Sequence, residues 1–172
     1  MTALIRYWLE VCLLRAAPQD GPSSGFILAF SMTCYLMISV LVLSGSFGMA
    51  AGSQVALVEM LLLAVFMFVM LYLTGKSTRL GQTLSAVTGA GSLLGLFSLP
   101  LVLISGPVTE DASLPAIISA AWLVLLLWNL LVSAHIIRHA LSSSFATGAG
   151  VSVLYMVVSM QFIATLFPQL AV

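Results

Sequence analysis

The chain has 172 residues, of which 62% are hydrophobic and only 6% charged, with five Lys and Arg balanced by five Asp and Glu. A soluble domain carries roughly 25% charged residues, and one of this size leaves roughly 30% of its unfolded surface exposed, so the composition excludes a water-soluble fold and makes the bilayer the solvent. A neutral chain with no large basic surface also excludes nucleic acid as a partner.

The first 24 residues do not read as a secretory signal. Such a signal needs about 7–15 continuous apolar residues behind a basic start, and here Arg6, Glu10 and Arg15 interrupt the run, leaving Val11 to Leu14 as the longest piece. Ile5, Trp8, Leu9, Cys12 and Leu13 instead recur at helical spacing, with Arg6 and Glu10 four apart on the other face. This predicts an amphipathic helix lying in the membrane interface with Tyr7 and Trp8 at headgroup level. "APQDGPSSG", from Ala17 to Gly25, then supplies a stop at Pro18, a tight turn at Asp20-Gly21-Pro22 and a helix cap at Ser23 or Ser24. Residues 1–24 are thus expected to be a cytoplasmic interfacial helix and turn ahead of a membrane domain over 25–172.

Five apolar runs in that domain, 26–44, 55–75, 83–105, 116–137 and 146–167, meet the requirement of about 20 residues for a helix crossing about 30 Å of hydrocarbon. The expected fold is all-α and integral to the membrane, with five transmembrane helices. The links 45–54, 76–82, 106–115 and 138–145 are too short for a further domain, so helices adjacent in sequence are expected to be antiparallel neighbours. Ser113 and Pro115 mark the start of the fourth span, and Pro168 the end of the fifth. Lys and Arg are retained on the cytoplasmic side, and an inside N-terminus places Arg6, Arg15, Lys76, Arg79 and Arg138 all inside. The opposite links carry no cation, and one holds Glu110 and Asp111. The C-terminus is then outside.

"RLGQTLSAVTGAG" from Arg79 aligns with "RHALSSSFATGAG" from Arg138 at an offset of 59, with six of thirteen positions identical. The match suggests a duplicated helical hairpin, 55–105 and 114–164, of the kind from which membrane folds are often built. Gly89, Gly91 and Gly95 in the third span and Gly148 and Gly150 in the fifth give small-residue faces that allow close backbone approach. They suit internal packing or an interface with a membrane-protein partner or a second copy.

Among the polar groups, Glu59 lies near the outer end of the second run and Gln161 at similar depth in the fifth; they are expected to pair. Asn129, nearer mid-membrane, is expected to bond Thr88, Ser92 or Thr33. A charge placed centrally costs about 2.5–3.5 kcal/mol or more, so Glu59, Asn129 and Gln161 are also the residues on which a small transporter or channel subunit would depend. Lys76, Arg79, His135, Arg138 and His139 gather at the cytoplasmic edge, where they suit contact with anionic headgroups. His135 and His139 have no further ligand residue beside them and do not predict a metal. Cys12 and Cys34 show no metal or redox spacing and read as packing residues. No nucleophile elbow, paired carboxylates, phosphate loop or metal cluster is legible. The expectation is a non-enzymatic protein without a cofactor.

Five spans, an inside N-terminus, an outside C-terminus and a basic turn followed by "RLGQTLSAVTGAGSLLGLFSLPLVLI" together resemble the Yip-domain family of small multi-pass membrane proteins, over Val55 to Phe167. "QDGP" is a shortened echo of that family's Asp-Leu-x-Gly-Pro element, lacking the two residues between Asp20 and Gly21, so no GTPase-binding role carries over. What the resemblance implies is a compact bacterial relative in the cytoplasmic (inner) membrane, with a role in membrane organisation or in partner binding as a scaffold.

Overall fold

The computed structural model describes residues 2–106 and 115–168. Among these, the chain folds into six α-helices: α1 (Thr2–Cys12), α2 (Gly25–Phe47), α3 (Met49–Leu73), α4 (Leu80–Ser105), α5 (Ala116–Leu141) and α6 (Phe145–Leu166). The last five are long and apolar enough to cross a membrane. The protein is a multi-pass helical membrane protein. Ser113, Glu110 and Asp111 lie outside the described residues, while Pro115 immediately precedes α5 and its carbonyl accepts from the N–H of Ile118 and of Ser119.

The expected link 45–54 is almost wholly helical. Only Gly48, at φ 81°, separates α2 from α3, because a left-handed residue is enough to reverse the chain. The small residues Ala50, Ala51 and Ser53 then continue the helix. This moves Glu59 inward. It lies ten residues beyond Met49, the first residue of α3, or about 15 Å at 1.5 Å per residue, near the middle of the helix rather than at its end.

The amphipathic N-terminal helix is present and its apolar surface is divided: Ile5, Leu9 and Leu13 stay exposed, while Trp8, Val11 and Cys12 meet protein. Trp8 and Cys12 are each 3% exposed and Val11 is fully buried; Val11 and Cys12 share a core with Ala86, Ala90, Leu94, Val132 and Ile136 of α4 and α5. The reason lies in α4, where Ala86, Gly89 and Ala90 leave a groove wide enough for an indole. Trp8 fills it so closely that a Cβ on Gly89 would overlap its ring, and its other face stacks on Phe30 at 6.2 Å. The chain turns back at Leu14, φ 61°. The return segment is pinned to the bundle: Trp128 Nε1 donates to the Cys12 carbonyl (2.9 Å), His135 Nε2 lies 3.0 Å from the Ala16 carbonyl, and Gln82 donates to the Gly21 carbonyl (3.2 Å). Trp128 stands thirteen residues before Leu141, about 20 Å from that end of α5. α1 and its return therefore form a short hairpin packed on α4 and tied to α5.

α4 is the central helix. Small or hydroxyl side chains fill its buried positions, among them Thr83, Ser85, Ala86, Thr88, Gly89, Ala90, Ser92 and Ser98. Thr83, Thr88 and Ser92 each donate to the carbonyl four residues earlier, so their polar groups are satisfied within the helix, as a lipid solvent demands. The element boundaries do not follow the expected 59-residue repeat. At an offset of 59 the α3–α4 connection, 74–79, falls on 133–138, which is continuous helix within α5. Arg79 precedes a helix while Arg138 lies inside one.

Candidate functional site: a buried carboxylate among three cavities

Three cavities, of about 200, 280 and 270 Å³, lie within the bundle of the five long helices. Among the described residues, Glu59 is the one that lines all three. The third is bounded by Phe47 and Phe167, at the ends of α2 and α6. The first extends the other way, to Met67 and Ile137. Beyond it the bundle is closed by Leu71, Leu84, Ala140 and Leu141. The three linings meet at Glu59, and an apolar layer lies beyond the first cavity.

Polar groups from three other helices share these cavities with Glu59. Tyr35 and Ser39 come from α2, Asn129 and Ser133 from α5, and Ser152, Tyr155 and Ser159 from α6. Tyr155 is held by Phe66, whose ring centroid is 5.1 Å away. Ser152 Oγ is buried without a hydrogen-bond partner, so one hydroxyl facing the first cavity has bonding capacity to spare. Gly91 and Gly95 bring α2 close enough to complete the wall: a Cβ would lie 2.8 Å from the Tyr35 ring and 2.7 Å from Ile38.

Two expected contacts are not formed. Gln161 is exposed on α6 and lines none of the three cavities, because it stands two residues, about 200° of helix turn, from Ser159 on the inward face. Asn129 faces two of the cavities and not the hydroxyls proposed for it; Thr88, Ser92 and Thr33 all bond carbonyls of their own helices. Tyr35, Ser133, Ser152, Tyr155 and Ser159 escaped sequence reasoning. Their signal was helical spacing, since Ser152, Tyr155 and Ser159 form one stripe, and Tyr35 with Ser39 and Asn129 with Ser133 are each four apart.

At the far end of the bundle the cations are spent mainly on structure. Lys76 donates to the Leu141 carbonyl, and Arg79 Nη1 donates to the carbonyls of His139 (3.3 Å) and Ala140 (3.1 Å) and to Ser142 Oγ (2.8 Å). Both cap the carbonyl end of α5, where positive charge is favoured. His135 is 3% exposed and holds the return segment at Ala16, which corrects its expected place among headgroups. Its ring meets that of His139 at 4.7 Å. Among the described residues no cluster of metal-ligating side chains occurs, and both cysteines are free. Gly148 packs on the α5 backbone, whereas Gly150 has nothing within 4 Å of its Cβ position. Compared with known protein families, with characterised proteins and with solved structures, the chain matches none.

Proposed function

We propose that this protein is a small transporter or channel subunit that takes a cation or protonated solute into the bilayer at Glu59. The observation that carries the reading is that one carboxylate, near the middle of its helix, lines all three cavities. A bare charge at such depth is costly, and a bound cation or proton removes that cost. Tyr35, Asn129, Ser133, Ser152 and Tyr155 supply oxygen and amide groups for hydrogen bonding around it, and the apolar layer beyond serves as the closed gate. The role is non-enzymatic, and the favoured home is a bacterial cytoplasmic membrane.

In liposomes containing the purified chain, proton or alkali-cation flux should exceed that of empty vesicles. Glu59→Gln should lower it at least tenfold while the chain still elutes as a folded species. Wild-type flux equal to that of empty vesicles, or flux unchanged in Glu59→Gln, overturns the reading.

A second reading, a scaffold that binds a membrane partner, is favoured by one observation. Gly150 and Ala146 form a small-residue step on the exposed side of α6, suited to another helix. The resemblance to Yip-domain proteins supports the same reading.

A further inference from the structure

We propose that the cavity between Gln19 and the α5–α6 turn is a binding site for a phosphate group, with Arg138 as its charge and Ser143 as its hydroxyl donor. The cavity, about 430 Å³, is lined by Gln19, Arg138, His139, Ser142 and Ser143, all of them polar. It is separate from the Glu59 cavities and shares none of their described lining residues.

The charge at this end is unevenly employed. Arg6 pairs with Glu10 at 2.9 Å, and Lys76 and Arg79 are bound to the carbonyl end of α5. Arg138 differs, because its Nε is buried without a partner, and so is Ser143 Oγ beside it. A buried charged donor left unmatched is unfavourable, and an anionic acceptor matches it best. Among the described residues no carboxylate lines the cavity. The acid in the adjoining segment, Asp20, accepts from the Ala17 N–H at 2.7 Å and stands close enough to His139 for its charge to act on that ring. Arg79 donates into Ser142 Oγ, which leaves that hydroxyl's own proton free to donate. Gln19 adds an amide, and the first turn of α6, whose dipole favours anions, begins two residues after Ser143.

Donors from Arg138, Ser143, Ser142 and Gln19 come from several segments of chain, and this suits an oxyanion with more oxygens than a planar carboxylate. The chemistry fits a lipid headgroup phosphate or a soluble phosphate equally. The phenyl ring of Phe145, with its centroid 5.7 Å from the Arg138 guanidinium carbon, holds the side chain in place.

The test uses the full chain in nanodiscs that mix phosphatidylcholine with phosphatidylglycerol, followed by native mass spectrometry of lipid retained after release. Inorganic phosphate is titrated separately by calorimetry. Retained phosphatidylglycerol assigns the site to lipid; phosphate binding without retained lipid assigns it to a soluble anion. Either signal should fall at least fivefold in Arg138→Gln and in Ser143→Ala, and should persist in Arg15→Gln, which removes the same charge from an exposed side chain. Ser143→Ala, the milder change, keeps the test decisive if Arg138→Gln fails to fold. No ligand on the wild-type chain, or an equal loss in Arg15→Gln, overturns the proposal.

Discussion

The tetrapeptide Thr-Gly-Ala-Gly stands at 88–91 in α4 and again at 147–150 in α6, and its two copies meet opposite surroundings. In α4 Thr88 is 1% exposed, Gly89 receives the Trp8 indole and Gly91 the Tyr35 ring. In α6 Thr147 is exposed and serves the helix start through Ser144, whose Oγ accepts from the Thr147 N–H at 3.2 Å. Gly148 touches the backbone of α5, and Gly150 touches nothing. Small residues permit close approach but do not choose what approaches. The choice belongs to topology: α4 is enclosed by α1, α2 and α5, whereas α6 has α5 as its main neighbour and leaves its outer side open.

The sharpest way to break this comparison is at Gly148. A Cβ there would lie 2.3 Å from the Ala134 carbonyl oxygen and 3.0 Å from the Arg138 nitrogen. Backbone cannot step aside as a side chain can, so Gly148→Leu is expected to force α6 off α5 at a cost of about 3 kcal/mol, the upper part of the range for overpacking. Unfolding by denaturing detergent measures it. An unchanged midpoint would show that the two helices are not packed as described.

Gly89→Leu comes next, at about 2 kcal/mol, because the atoms displaced belong to the Trp8 side chain and α1 can leave its groove. Cys12 reports the departure. Burial pushes its thiol up to about 11, and Tyr7 is raised in the same direction, by burial first and then by the Asp20 carboxylate. Each group keeps in the folded chain a proton that the unfolded chain releases earlier. The stabilisation of α1 is therefore complete below the thiol's ordinary value of about 8.5, and declines as pH rises through about 11. With Cys34→Ser in the background, alkylation of Cys12 at pH 8 is expected to be on the order of 100-fold slower than in the unfolded chain. Gly89→Leu should restore most of the lost rate. Equal rates in folded and unfolded wild-type chain would mean that α1 is not docked.

The five spans were legible in the sequence because in lipid an apolar length of sufficient extent is itself the structure. What surrounds each face was not. The apolar stripe of α1 at Trp8, Val11 and Cys12 has the same periodicity whether lipid or α4 covers it. The depth of Glu59 depended on the reach of α3, and Ala50, Ala51 and Ser53 are too weakly apolar to count as span yet sit well in a helix. The spacing of Asn129 suits neighbouring hydroxyls, but Thr33, Thr88 and Ser92 are satisfied by their own helices. The cavity around Glu59 became visible only when Tyr35, Ser152 and Tyr155, on helices far apart in sequence, were brought to one place.

Gly150 gives the smallest expected effect and the finest discrimination. In purified chain, Gly150→Leu should change stability by less than about 0.5 kcal/mol, the usual range for a surface site free of special contacts, and any change should lean towards stabilisation because Leu favours helix over Gly. The same variant in native membranes asks a different question. If crosslinking recovers a partner along α6 in the wild type and Gly150→Leu removes it, the open glycine is a seat for another helix and the scaffold reading gains its interface. If the crosslinks persist, α6 faces lipid there, and the second Thr-Gly-Ala-Gly uses only Gly148. A loss of stability in purified chain as large as that of Gly148→Leu would mean that both glycines of α6 are packed within the bundle, and the contrast with α4 would disappear.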